Sequence, residues 1–135
     1  MYLPNDPDQA SRNFAWDELR CRGCAGTCGY AIGGRPLVHV APGALAKLQA
    51  LRDLVRQPLH LNSASRCPLH NARVGGAPLS QHRASQVMQS TAFDILLTLP
   101  KPDLIAAAER VGFGGIGINY ASFVHVDDRG HRARW

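Results

Sequence analysis

Leu45, Leu48, Leu51 and Val55 recur three and four residues apart, with Leu54 beside them. That spacing lines one face of a helix and predicts an α-helix over residues 42–56. Pro42 suits its first turn, and Pro58 lies just past its end. A second helix is predicted over 102–111, begun by a proline and stopped by Gly112. Strands are predicted where short apolar runs or alternation take over: 59–63, 92–97 and 123–127. Residues 13–19 read as an apolar anchor followed by one helical turn. Residues 1–13 read as a polar, proline-interrupted and irregular arm. Loops are predicted over 20–36, rich in Cys and Gly, and over 64–81, which carries Pro68, Gly75, Gly76 and Pro78. Gly112 to Gly117 reads as a tight, flexible turn. No repeat or linker interrupts the chain, so the pattern predicts one α+β domain over residues 1–135, with a small antiparallel sheet flanked by helices.

The 135 residues are 45% hydrophobic, enough for a core without covalent staples. No apolar run approaches the roughly 20 residues of a membrane span, so no membrane insertion is expected. The start carries Pro4, Asp6, Pro7 and Asp8 rather than a basic segment and an apolar stretch, so no secretory signal is predicted. A target outside the cytoplasmic membrane would then require delivery by lysis or by a virion. The net charge of +5 and pI near 9.4 favour an anionic partner, either nucleic acid or the bacterial wall. The arginines are scattered apart from Arg129, Arg132 and Arg134. With no basic helix face, aromatic–basic alternation or helix-turn-helix pattern, nucleic acid is the weaker candidate. Cys21, Cys24 and Cys28 form C-x-x-C-x-x-x-C, and Cys67 stands alone. A structural metal there needs a fourth ligand from Cys67 or a distant His; reduced thiols or one disulfide are the alternatives.

Three polar residues sit on or beside apolar strands: His82, Asp94 and His125. Burying an imidazole or carboxylate there is costly unless something satisfies it. A divalent metal does so, and two His with one carboxylate leave a fourth position for water. The plainer readings are a satisfied core histidine and a turn or cap aspartate.

Further motifs bear on this choice. The stretch Ser63-Ala64-Ser65-Arg66-Cys67-Pro68-Leu69-His70-Asn71 continues without a gap into Ser80-Gln81-His82. It is followed in order by Thr91-Ala92-Phe93-Asp94-Ile95, by Gly112-Phe113-Gly114-Gly115-Ile116-Gly117, and by Phe123-Val124-His125-Val126-Asp127 with a tail over 129–135. These pieces resemble the peptidase M15 family: zinc D-Ala-D-Ala carboxypeptidases and murein endopeptidases that share a fold with the hedgehog signalling domain. The resemblance implies one zinc ion held by His82, Asp94 and His125. It implies that Arg66 positions a substrate carbonyl or carboxylate, with Ser80 beside the substrate. Asp127 becomes a general base or a support for the metal site. The implied activity is hydrolysis of peptidoglycan stem or cross-link peptides. The alternative is a catalytically impaired wall-binding or structural module, such as one in a phage tail.

The family motif S-x-H-x-x-G-x-A-x-D puts six residues between its His and Asp, whereas eleven separate His82 from Asp94. Two registers follow. Anchored at Ser80-Gln81-His82, the extra residues bulge beyond the ligand. Anchored at Asp94, Val87 replaces the ligand and Ser90 the motif glycine. Ser65 stands where the family has an aromatic residue before Arg66.

Overall fold

The structure, a computed structural model, describes residues 6–23 and 36–135. The elements run β1 (Gln9–Ser11), β2 (Phe14–Ala15), a 3₁₀ turn (Trp16–Leu19), α1 (Pro42–Val55), β3 (Leu61–Ser63), α2 (Pro68–Arg73), β4 (Ala92–Leu96), α3 (Lys101–Val111), β5 (Gly115–Gly117), β6 (Phe123–Asp127) and β7 (Ala133–Arg134). The main sheet has the order β3-β4-β6-β5-β7. Its pairs are antiparallel except β5–β7, which is parallel. The expected α+β class with a small sheet is what forms.

Both long helices end as their sequences dictate. α1 starts at Pro42 and closes on Arg56 in the left-handed region, φ 59°. α3 closes on Gly112 at φ 96°, and the Phe113 N–H reaches back to the Ala108 carbonyl. This wrap turns the chain and buries Phe113. α1 packs against α3, and α3 against β6. Leu48 and Leu51 of α1 and Leu104 and Ala108 of α3 meet Phe93, Ile95, Ile116, Val124 and Val126 of the sheet in one core. Among the described residues, no helix is long and apolar enough to cross a membrane.

Four segments differ from the expectation. The arm predicted to be irregular pairs β1 with β2. It is tied to α1 by Gln49, whose Oε1 accepts from Ser11 Oγ (2.8 Å) and the Asn13 N–H (3.0 Å). The loop over 64–81 contains α2, whose six residues are too few to show periodicity. The glycine-rich turn contains strand β5, and the tail adds β7 alongside it. Of the cysteine run, Cys24 and Cys28 lie outside the described residues.

Phe93 is fully buried and meets Phe113 edge to face, with ring centroids 6.4 Å apart. Phe93→Ala is expected to cost about 3–5 kcal/mol through lost burial and a residual cavity. Denaturant unfolding checks this; a loss below about 1 kcal/mol would contradict the assigned core.

Candidate metal centre and cleft

Alternation along β4 sends Phe93 and Ile95 into the core and Asp94 to the opposite face. Along β6, Val124 and Val126 enter the core while His125 and Asp127 share Asp94's face. The antiparallel register sets Asp94 directly across from His125. His82 arrives from a loop that the backbone holds firmly. Its carbonyl accepts from the Arg66 N–H (2.7 Å), the Ala84 N–H donates to the Arg66 carbonyl (2.7 Å), and Ser80 Oγ accepts from the His82 N–H (3.2 Å).

The three side chains converge. His82 Nε2 and His125 Nδ1 each lie 3.0 Å from Asp94 Oδ1 and 3.2 Å from one another. All three residues are buried. The outer partners assign the tautomers. His82 Nδ1 is 2.7 Å from the Ala64 carbonyl, and His125 Nε2 is 2.7 Å from Asp127 Oδ2. Those oxygens only accept, so each imidazole carries its proton on the outer nitrogen. The inner nitrogens then present lone pairs to a carboxylate oxygen. Three acceptors so close repel unless a positive charge lies among them.

For His82 the electrostatics agree with this reading. Burial pushes His82 below its ordinary pKa, which keeps it neutral and ready to ligate. Burial opposes a charged His125, but hydrogen bonds to Asp127 and Asp94 outweigh it and raise the pKa. Burial likewise opposes the Asp94 carboxylate, and the two histidines more than offset it, holding it below the usual range. A tetrahedral zinc with bonds of about 2.0–2.1 Å separates its ligand atoms by about 3.3 Å. The residues present fit such an ion: two imidazole lone pairs, one carboxylate, and an outer partner on each imidazole.

Arg66 donates from Nε to Ser63 Oγ (2.9 Å) and from Nη2 to Asp94 Oδ2 (3.1 Å), so it secures the second oxygen of the ligand carboxylate. Asp127 is fully buried. Its Oδ2 accepts from His125 Nε2 and from Arg129 Nη2 (2.7 Å), and its Oδ1 accepts from Arg129 Nε (2.8 Å). It therefore stands behind His125, on the far side of the ring from the inner nitrogen. The cluster lies in a cleft of about 520 Å³ that is also lined by Arg66, Ser80, Tyr120, Phe123, Arg129 and Trp135.

The sequence model of the peptidase M15 family matches residues 12–127. The chain belongs to the peptidase M15 family. No curated protein matches it. The M15 match spans β2 to β6 and contains His82, Asp94 and His125.

Within the M15 pattern, the extra residues have a definite place. Ser85 to Gln89 protrude between two fixed ends, and Val87 is 93% exposed, far from a ligand's environment. His82, upstream of the bulge, is the residue beside Asp94. The two smaller departures meet each other. Ser65 Oγ and Ser90 Oγ are buried 2.9 Å apart. Ser65 Oγ accepts from the His39 N–H (3.2 Å), and Ser90 Oγ donates to the His39 carbonyl (3.2 Å). This closed ring pins the far end of the bulge to the segment before α1. Arg129 and the aromatic residues Tyr120, Phe123 and Trp135 of the cleft were not singled out as site residues from the sequence. The only signal was the resemblance of the tail to the M15 ending.

Two outcomes test this geometry. Asp127→Asn offers His125 Nε2 an amide donor and so favours the wrong tautomer. Zinc affinity, measured by competition with a chromophoric chelator, is expected to fall 10–100-fold; unchanged affinity would mean that Asp127 does not set the tautomer. Ser65→Ala leaves polar atoms of Ser90 and His39 short of a partner. It is expected to lower stability by about 1–3 kcal/mol in denaturant unfolding.

Proposed function

We propose that this M15 chain is a zinc-dependent peptidase that hydrolyses stem or cross-link peptides of bacterial peptidoglycan. The observation that carries the reading is the convergence of His82, Asp94 and His125 in a cleft, with the outer nitrogen of each imidazole against an acceptor oxygen. Zinc, when bound, supplies a Lewis acid and an acidified water for attack on an amide carbonyl.

The protein's own groups do the positioning. The Ala64 carbonyl and Asp127 hold the two imidazoles in the ligating tautomer. Arg66 engages Asp94 Oδ2 and leaves Oδ1 toward the histidines. Arg66 also lines the cleft, where its planar fork suits a peptide carbonyl or terminal carboxylate; Ser80 lies along the same wall. Tyr120 stacks on Phe123 at 4.4 Å and accepts from Trp135 Nε1 at 2.9 Å, giving the opposite side a rigid aromatic surface. The net charge of +5 supports attraction to an anionic wall polymer. Lysis or a virion would bring the protein to that wall.

One observation favours a second reading, a wall-binding module that keeps the metal without cutting. Among the described residues lining the cleft, Asp94 is the one carboxylate, and Asp127 is buried with both oxygens engaged. A proton leaving an attacking water has no free carboxylate to receive it. Such a module would suit a phage-like tail that touches peptidoglycan.

Purified sacculi separate the two readings. Zinc-loaded protein is expected to release soluble peptides, to stop in a chelator and to recover with added zinc. His125→Ala is expected to lower the rate by more than the 10–100-fold typical of losing an outer partner. Cleavage retained by His125→Ala would dispose of the peptidase reading. Sacculus binding by the zinc-loaded protein without peptide release would establish the second.

A further inference from the structure

The metal cleft does not end at Arg66. Beside that residue lies a second hollow of about 580 Å³, and Arg66 and Val74 line both. The walls of the hollow also include Arg22, Asn62, Ser63 and His70. Two of its side chains are guanidinium groups and a third is an imidazole. Among the described residues that line it there is no carboxylate. The metal cleft differs, because Asp94 lies in it and pairs with Arg66. The second hollow carries positive charge that its own described walls do not balance.

The fold holds these groups in place without neutralising them. Arg22 donates from Nη2 to the carbonyls of Glu18 (2.9 Å) and Leu61 (3.5 Å). Those oxygens anchor the guanidinium at the rim of β3 and leave its charge unpaired. At Gly23 the chain passes directly against the His70 ring. A methyl group there would come within 2.4 Å of His70 Nδ1. Arg22 and His70, far apart in sequence, therefore meet at one hollow. Burial, then Arg66 and Arg73, push the His70 imidazole below its ordinary pKa. The arginines' share of that shift reports the same excess of positive charge, which an anion in the hollow would relieve.

We propose that this hollow is a subsite for a free side carboxylate on a peptide whose backbone lies in the metal cleft, with Arg22 gripping the carboxylate and His70 beside it. The inference rests on the reading of that cleft as a peptide site and adds what the peptide must carry. Arg66 marks the boundary between the two, since its Nη2 is committed to Asp94 while its side chain lines both walls. Arg22 spends only Nη2 on the carbonyls, so among the described residues Nε and Nη1 remain to donate to a carboxylate. The His70 imidazole supplies a further donor. Peptidoglycan stem peptides carry such a carboxylate where a glutamate is joined through its side chain, and amidation of that group removes the charge. An amide offers Arg22 one neutral acceptor in place of two charged ones. The hollow would thus select on charge at a position away from the bond that is cut.

The test titrates the zinc-loaded full chain into two fluorophore-labelled stem pentapeptides, L-Ala-γ-D-Glu-L-Lys-D-Ala-D-Ala and the same peptide with its glutamate α-carboxylate amidated. Anisotropy is read on ice, and mass spectrometry checks that the peptides stay intact. Wild type is expected to bind the acid about 5- to 10-fold more tightly than the amide. Arg22→Gln is expected to lose that preference and to bind the amide as wild type does. Arg22 is exposed, so the variant keeps the fold. Arg110→Gln, which removes the same charge from the exposed side of α3, is expected to keep the preference. Equal binding of acid and amide by wild type would overturn the proposal, as would a preference that survives in Arg22→Gln or binding of neither peptide. The sacculus assay separates this from the peptidase reading. Peptide release without discrimination sinks the subsite alone, whereas discrimination without release keeps the subsite and sinks the peptidase.

Discussion

Across the middle of the sheet, Asp94 faces His125 while Phe93 faces Val126 and Ile95 faces Val124. The same register that interlocks the apolar pairs therefore sets the spacing of two candidate ligand atoms. A slip of one residue would carry Asp94 and His125 into the core and expose Phe93, Ile95, Val124 and Val126. Hydrophobic burial thus holds the polar geometry in place, and the ligand set cannot drift without unpacking the protein. His82, which lies on no strand, needs its own anchorage. It receives this from the two backbone bonds between its loop and Arg66.

The neighbouring strand obeys the same constraint. Gly115 lies across from Asp127, and Gly117 across from His125. A methyl group at 115 would come within 2.3 Å of Asp127 Oδ1, and one at 117 within 2.8 Å of the Trp135 ring. The strand gives up side chains so that Asp127, Arg129 and Trp135 can close behind the metal-facing histidine. This explains why a sequence that reads as a turn forms a strand. Its glycines answer to close approach across the sheet rather than to chain reversal.

What the sequence disclosed follows from the range of each interaction. α1, α3, β4 and β6 carry their own periodicity and are legible. β1, β5 and β7 are held by partners far along the chain, such as Gln49 for the arm and Gly114 and Ile116 for the tail, and a local pattern cannot reveal them. His82, Asp94 and His125 stood out as polar residues beside apolar strands. Whether an eleven-residue gap still let His82 reach Asp94 depended on where the extra residues went. Ser65 and Ser90 looked like two separate departures from the family pattern. They are one interaction, visible only once the chain is folded. The M15 resemblance supplied the order of the motifs, but it could not show that Arg66 and Arg129 are each turned to a carboxylate.

Those two arginines determine the charge of the centre. Arg66 pairs with Asp94 at 3.1 Å, and Arg129 pairs with Asp127 through both nitrogens at 2.7–2.8 Å. Each carboxylate has its own guanidinium, and the histidines are neutral when ligating, so the protein brings no net formal charge to the ion. A divalent cation held there keeps its full formal charge in a mostly buried setting, where fields are screened less than in water. With a divalent cation bound, that condition would lower the pKa of a coordinated water more than an anionic ligand set would. It also draws anionic groups into the cleft. The pairing of each carboxylate with its own guanidinium would therefore shape the field in the cleft as directly as the three candidate ligands do.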